Sequence, residues 1–444
     1  MGRYFGTDGI RGKAGETLKY ETAYKVGKYI GYYYKKNSNG KILIGKDTRE
    51  SGSRFEEELA KAITSMGADA YELGYCSTPS LAYTTMNSDF SCGVMISASH
   101  NPYTDNGIKI FGNNGLKIKD DIESLIEDYI DNPIELESNG EGKIVDFSHA
   151  ITDYQKWLIN KFPLDMNKMK ICVDLCNGSN CYTAKDVLKE INADITYIND
   201  SPNGTNINNN CGSTHLEMLQ ETVKNGKYSL GFAFDGDADR VLFVDEDGNV
   251  CDGDCTIYLL AKYLKATNRL KNNSIVATVM SNIGLFKALD ALDIKYDVTS
   301  VGDKNVLDSM LKNEYPIGGE QSGHTICTLD ANFGDGLKTA LMLMEALSYF
   351  NQSIKQCLQE LRIYPQLLIN QRVVDKTIVL DDADIKNKID EITKALGSNG
   401  RILVRPSGTE PLIRVMVEAE SDELCNKYVY EVINMIKDKG YAQA

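Results

Sequence analysis

The sequence is poor in several things that would each mark a different kind of protein. No stretch of about 18 apolar residues occurs, so no membrane-spanning helix is expected. The first twelve residues, MGRYFGTDGIRG, contain no apolar core of the kind a secretory signal carries, and a cytoplasmic location is the expectation. Positive charge is in deficit, with a net charge of −15 over 444 residues. A field of that sign repels phosphate backbones and anionic lipid, so neither a nucleic acid nor a membrane is expected as a partner. Paired CxxC spacing is missing among the eleven cysteines, which argues against a zinc site and for reduced, mostly buried thiols. The nucleophile-elbow pattern GxSxG and the phosphate loop GxxxxGK[ST] are both absent.

The length is too great for one hydrophobic core and suggests three or four domains. Over residues 1–145, amphipathic stretches such as 21–36 and 54–67 alternate with short apolar runs such as KILIGKD (41–47) and CGVMIS (92–97). This pattern predicts an α/β domain with a largely parallel sheet covered on both faces. The polar, aperiodic segment NPIELESNGEGK (132–143) marks a boundary. The same alternation restarts over 146–250 and again over 251–362. The last segment, 363–444, changes to strands near 365–374, 401–405 and 412–418 with helices at 382–396 and 422–438, a smaller α+β unit. The expected fold class is therefore α/β: three similar domains with mixed, largely parallel sheets, plus an α+β C-terminal domain.

The residues with chemistry in them sit in loops at strand ends, where ligands bind in open α/β sheets. In FAFDGDADRVLFVD (232–245), Asp235, Asp237 and Asp239 alternate in a tight turn. Three carboxylates so close repel one another unless a cation neutralises them, and hard oxygen ligands suit Mg²⁺. An EF-hand also begins DxDxD, and Glu246 even falls at its twelfth position. Arg240, however, stands where that loop needs glycine, and strands flank the turn. In VRPSGTEPLIRVMVE (404–418), Ser407, Gly408 and Thr409 lie between Arg405 and Arg414, a set that suits a phosphate monoester. In PIGGEQSGHTI (316–326), Glu320, Ser322 and His324 alternate, and a carboxylate with a hydroxyl suits a sugar. Arg11 in FGTDGIRG and Arg49 in GKDTRESG each stand in a glycine-bounded loop; taken singly, a salt-bridged turn is the simpler reading for both. GVMISASHNPYTDNGIKIFG (93–112) ends a strand at a turn holding Ser97, Ser99 and His100. A phosphoryl-accepting serine is one reading of this turn and a Ser-His-Asp hydrolase another. The hydrolase is disfavoured because a histidine adjacent in sequence cannot easily reach round to deprotonate the serine. From pattern alone Ser97 and Ser99 are equivalent.

Taken together and in order, FGTDGIRG, ISASHNP, DGDADR, GGEQSGH and RPSGTEP resemble the α-D-phosphohexomutases over essentially the whole chain. NGTNINNNCGSTHLE (203–217), VGDKNV (301–306) and SGTEPLIRVMVE are similar to the phosphoglucosamine mutase branch of bacteria. The resemblance implies four domains around a central cleft, with Ser99 as the phosphoserine. It implies Asp235, Asp237 and Asp239 as Mg²⁺ ligands completed by the Ser99 phosphate, and Glu320 and Ser322 as the sugar-binding loop. Arg405, Ser407, Gly408 and Thr409 match the loop that holds the phosphate not being transferred. Arg11, Lys109 and His324 match positions near the reacting oxygens, and His100 is a positioning neighbour rather than a triad base. The implied reaction interconverts glucosamine 6-phosphate and glucosamine 1-phosphate through a sugar 1,6-bisphosphate, which also primes the serine, and feeds UDP-N-acetylglucosamine and peptidoglycan synthesis. A phosphomannomutase or phosphoglucomutase of the same fold is the alternative. A metal-dependent phosphatase with an aspartyl nucleophile and a silent sugar-phosphate sensor are further ones. The implied partner is a small phosphosugar, with a homodimer as the candidate assembly. Two departures stand out. Lys304 and Asn305 replace the arginine and aromatic residue more usual in this branch. Ala238 replaces a common glycine, which matters if that position needs a positive φ.

Overall fold

A computed structural model describes residues 2–138, 140–407 and 411–443. The first compact unit spans residues 1–280 and 294–359 and contains three sheets. The first sheet has seven strands in the order Phe5–Gly6, Gly9–Lys13, Asp105–Gly112, Cys92–Ile96, Lys41–Lys46, Asp69–Tyr75, Ile144–Asp146. Its centre is parallel, while Asp105–Gly112 runs antiparallel to both of its neighbours. Helices Tyr20–Asn37 and Gly52–Ser65 cover one face, and Val26, Ile30, Phe55, Leu59 and Ile63 are buried in the core there together with Ile42, Ile44 and Val94.

Two elements of this domain differ from the expectation. The turn does not extend over Thr104 to Gly107: a strand begins at Asp105 and runs to Gly112, buried from Asn106 to Phe111, and it carries Lys109. The charge of Lys109 interrupts the apolar pattern, and acidic partners supplied from elsewhere in the fold compensate it. TPSLAYTTMN (78–87) forms a helix despite its threonines and a proline, because Ser77 caps it and Pro79 lies in its first turn.

The second sheet is ordered Val250–Cys251, Val241–Val244, Leu230–Phe234, Lys170–Asp174, Asp194–Ile198, and its two strands Leu230–Phe234 and Val241–Val244 form a hairpin around the aspartate loop. The third is ordered Lys295–Thr299, Ser274–Thr278, Ile317–Gly319, Thr325–Cys327, with the Glu320 loop in its hairpin. All three sheets are mixed. All eleven cysteines are free thiols, and Cys181 alone is partly exposed. No helix among the described residues is long and apolar enough to cross a membrane.

The second unit comprises 281–293 and 360–444. Its antiparallel sheet places Leu412–Glu418 between Gln366–Arg372 and Arg401–Pro406. Helices Ala383–Leu396 and Asp422–Asp438 supply Ile385, Ile392, Val429, Val432 and Ile433 to its core. Helix Ile283–Ala291 packs in this unit although it follows the third sheet's first strand in sequence. The Ile283 amide donates to the buried Glu418 carboxylate (2.9 Å), which also pairs with Arg401 (2.8 Å).

Candidate active site

Ser99 lies one turn beyond the strand Cys92–Ile96, fully buried, with φ at +53°. A non-glycine residue in this left-handed region costs roughly 1–2 kcal/mol, so the surroundings must hold it. They do so from both sides. The Ser99 amide donates to Ser97 Oγ (2.9 Å), and Ser97 Oγ donates to Asp47 Oδ2 (2.6 Å). Ser97 is therefore the anchor of the turn and Ser99 its product. Opposite, the Arg49 guanidinium is completely buried and donates to the carbonyls of Ser99 (2.8 Å), Asn101 (2.9 Å), Asp105 (3.0 Å) and Pro102. Asn208 Nδ2, from the second sheet's domain, donates to the same carbonyls of Ser99 (2.8 Å) and Asn101 (2.9 Å). Arg49 thus does far more than pair within its own turn.

Replacing Arg49 with methionine removes the fully buried guanidinium shared by four carbonyls and Asp47, leaving Asn208 on two of the carbonyls and Ser97 on Asp47. A loss of about 3–5 kcal/mol of stability is expected, read from urea denaturation. Arg49→Lys should not restore it, because one ammonium cannot reproduce the guanidinium fork.

Ser99 Oγ donates to Asp235 Oδ2 at 2.6 Å. Ligand atoms of Asp235, Asp237 and Asp239 lie within 4.8 Å of one another, the one such cluster among the described residues, and all three side chains are buried. Asp237 Oδ1 and Asp239 Oδ1 have no hydrogen-bond partner. Burial, then repulsion from Asp239 and Asp237, pushes the Asp235 carboxyl well above its usual range. Burial pushes Asp239 the same way, but Lys109 and His324 outweigh it and hold that carboxyl well below. Three buried carboxylates with two orphaned oxygens fit a hard divalent cation, and Ser99 Oγ is in hydrogen-bond contact with one of them. Ala238, inside this turn, has φ at +62° and is held by hydrogen bonds to Asp235 O (3.1 Å) and from the Gly336 amide (3.0 Å). The position that glycine usually takes does need a positive φ, and alanine occupies it under strain.

Lys109 brings an ammonium into the cluster, 2.7 Å from Asp237, 3.0 Å from Asp8 and 3.4 Å from Asp239. Burial alone would lower its pKa, but the three carboxylates reverse this and keep it charged. Arg11 pairs with Asp8, and its buried Nε has no partner. His324 Nδ1 is 3.7 Å from Asp239. Burial opposes its protonation, yet Asp239 and Asp303 raise its pKa to about 9, so the imidazolium persists at neutral pH. Glu320 Oε1 accepts from the Gly302 amide (2.9 Å), and Ser322 is exposed beside it. His100 does reach the hydroxyl: its Nδ1 is 3.2 Å from Ser99 Oγ. Burial and the nearby Arg240 and Arg11 lower its pKa to about 4, which leaves a neutral ring.

Several partners were not visible in the sequence. Asp8, which gathers Arg11, Lys109 and Lys117, lay unremarked inside FGTDGIRG. Thr78, whose hydroxyl donates to Asp237, comes from the unpredicted helix and gives no signal of its own. Asn208 was inside a quoted segment but only its fold-mate at Ser99 reveals its use.

In the second unit, Arg405 and Arg414 stand directly opposite on neighbouring strands. Burial and the facing Arg414 lower the pKa of Arg405, and the Nε of each lacks a partner among the described residues. Two adjacent guanidiniums with free donors suit an anion. Ser407 is buried at the strand end, its amide donating to Leu412 O (2.8 Å). Gly408 and Thr409 lie outside the described residues.

Four family matches tile the chain: Phosphoglucomutase/phosphomannomutase alpha/beta/alpha domain I over residues 2–137, domain II over 149–248, domain III over 252–364 and the C-terminal domain over 368–435. The chain is 48% identical to a phosphoglucosamine mutase of Lachnoclostridium phytofermentans, covering 100% of both chains. It is 44% identical to one of Bacillus cytotoxicus, covering 98% of this chain and 99% of that one. Among solved structures, a phosphoglucomutase/phosphomannomutase family protein of Burkholderia thailandensis superposes with a TM-score of 0.82 at 22% identity, over 97% of each chain. An Aspergillus fumigatus N-acetylphosphoglucosamine mutase, in complex with GlcNAc-6P and magnesium, superposes with a TM-score of 0.72 at 19% identity, over 98% of this chain and 95% of that one.

Proposed function

Because the chain belongs to the phosphoglucomutase/phosphomannomutase family, we propose that it is a phosphoglucosamine mutase that interconverts glucosamine 6-phosphate and glucosamine 1-phosphate. The observation that carries the substrate is full-length identity of 42–48% to relatives named for that activity. The observation that carries the mechanism is Ser99 Oγ in contact with a buried aspartate triplet.

In the forward half-reaction the sugar O1 attacks the phosphorus of phosphorylated Ser99. The P–Oγ bond breaks as the P–O1 bond forms, and the O1 proton passes to a base. Oγ takes up a proton as it leaves, and the resulting 1,6-bisphosphate turns round. Ser99 Oγ gives up that proton and attacks the 6-phosphorus. The P–O6 bond breaks as the P–Oγ bond forms, O6 takes up a proton, and glucosamine 1-phosphate leaves. Ser99 is phosphorylated again at the end, so the sugar bisphosphate is needed only to prime it. Asp235, Asp237 and Asp239 would hold a Mg²⁺ ion, with the Ser99 phosphate as a further ligand. Bound there, the cation offsets negative charge on the transferring group. Lys109 stays an ammonium beside the same oxygens and Arg11 offers a free Nε, so both stabilise charge rather than accept a proton. His324, 3.7 Å from Asp239 and 4.0 Å from Asp303, is placed to exchange a proton with the reacting oxygens. Glu320 and Ser322 meet the sugar hydroxyls. Arg405, Ser407, Gly408 and Thr409 hold the distal phosphate. One clamp must accept either end of the bisphosphate, and a pair of guanidiniums selects for a phosphate without regard to the sugar carbon that bears it.

A coupled assay with Mg²⁺ and a bisphosphate primer tests this reading. The expected kcat/KM is highest for glucosamine 6-phosphate, by at least about tenfold over the mannose and glucose phosphates. A higher value for mannose or glucose phosphate would assign the chain to the other named activities of its family.

A further inference from the structure

The geometry points to Lys117 as a positioning residue that registers the sugar-recognition loop against the phosphoserine site. The inference rests on the mutase reading above. Lys117 lies between the strand Asp105–Gly112 and the helix Asp120–Asp131, and its ammonium has three donors. All three have acceptors: Asp8 Oδ1 at 2.7 Å, Asp303 Oδ2 at 2.7 Å and the Thr7 carbonyl at 3.0 Å. Two of these belong to the N-terminal hairpin of the first domain. Asp303 opens the helix Asp303–Asn313 of the third.

From each end the contacts run on into the site. Asp8 uses its other oxygen for Lys109 (3.0 Å) and Arg11. On the far side, the Gly302 amide next to Asp303 donates to Glu320 Oε1 (2.9 Å). Lys117 is the midpoint of an unbroken polar chain from the carboxylate that meets the sugar to the ammonium that meets the transferring group. Gly302 has φ at +122°, a conformation that fixes the Asp303 helix start where Lys117 finds it.

A neighbouring pair, Lys304 with Asp120, crosses between the same two domains with the charges reversed, but both side chains are largely exposed at 45% and 77%. Solvent screens that pair, whereas Lys117, Asp8 and Asp303 are each only about a fifth exposed. Consistent with this, Asp8 and Asp303 overcome the burial of Lys117 and raise its pKa. Removing Lys117 takes away the cation that bonds both carboxylates at once, leaving Asp8 on Lys109 and Arg11 and Asp303 facing only His324 at 4.0 Å. The hairpin and the helix start then separate, and a displacement of about an ångström between sugar and phosphoryl donor costs on the order of 100-fold in rate.

The test is steady-state kinetics on Lys117→Met, Lys117→Arg, Asp303→Asn and the double variant Lys117→Met/Asp303→Asn, with Asp120→Ala as the control. Lys117→Met is expected to lower kcat/KM for glucosamine 6-phosphate by about 10- to 100-fold, with KM raised and kcat lowered. Lys117→Arg, whose fork can bridge both carboxylates, should stay within about threefold of the wild type. Asp303→Asn should reproduce most of the loss, and the double variant should be no worse than Lys117→Met, because both break one link. Asp120→Ala should change neither parameter by more than about twofold. Wild-type kcat and KM in folded Lys117→Met, or losses that multiply in the double variant, would overturn the inference. If Lys117→Met does not fold, Asp303→Asn decides together with its pH profile: loss of the Lys117 link lowers kcat/KM at every pH, whereas an effect through His324, 4.0 Å from Asp303, shifts the profile and would overturn the inference. Failure of the mutase reading is a separate outcome, visible as no turnover by the wild-type enzyme.

Discussion

Ser99→Ala is expected to abolish mutase turnover, by at least about 10³-fold, while leaving the fold intact. The hydroxyl makes two contacts, to Asp235 and His100, and neither secures the turn. The turn is secured through backbone groups, which alanine retains: the amide on Ser97 and the carbonyl under Arg49 and Asn208. Alanine in the left-handed region is no worse than serine, and Ala238 shows the fold tolerating one. Intact mass and peptide mapping check the assignment independently of rate. Wild-type protein incubated with a sugar 1,6-bisphosphate should gain one phosphoryl group on the peptide holding Ser99, and the variant should gain none. Full activity in Ser99→Ala, or the label on Asp235 or Asp237, would replace the phosphoserine mechanism with an aspartyl one.

The second large effect concerns the cation. Stripping divalent metal with a chelator should lower turnover by about 10³-fold, since a bound cation contributes several kcal/mol to stabilising the charge in transfer. Mg²⁺ added back should restore it. Asp237→Asn should weaken Mg²⁺ binding by at least about tenfold, measured by titration calorimetry. Asp237 divides its two oxygens: Oδ2 accepts from Lys109 and Thr78, while Oδ1 is free for a ligand. Asparagine keeps the shape and removes the charge. Undiminished Mg²⁺ affinity in that variant would place the cation elsewhere.

Much of this was legible in the sequence because the reactive groups sit in short loops with unusual residues. Three alternating aspartates stand out by themselves, whereas the serine before His-Asn-Pro and the Glu-x-Ser-x-His loop were singled out only by the joint resemblance of all five loops to one family. The C-terminal strands and helices were also readable, since each alternates or repeats cleanly. What the sequence hid was pairing at a distance. The strand Asp105–Gly112 did not look like one because its central lysine is acceptable only beside Asp237, Asp8 and Asp239, which come from other elements. Arg49 looked like half of a local salt bridge, and it is that, but its remaining donors close a turn some fifty residues away. Charge patterns show which residues need partners; only the fold says which partners they obtain.

The clasp on the reactive turn has a bearing on how such a chain can change over time. Its members come from two domains: Asp47, Arg49 and Ser97 from the first, Asn208 and Asp235 from the second. The two domains share an architecture, and segments of shared architecture are often free to be duplicated, exchanged or replaced as units. Here that freedom is curtailed. A transplanted first domain would carry its serine but arrive without the two Asn208 hydrogen bonds to the turn and without Asp235 beside the hydroxyl. The conformation of Ser99, the proposed nucleophile, is thus a property of the junction, which ties changes in one domain to changes in the other.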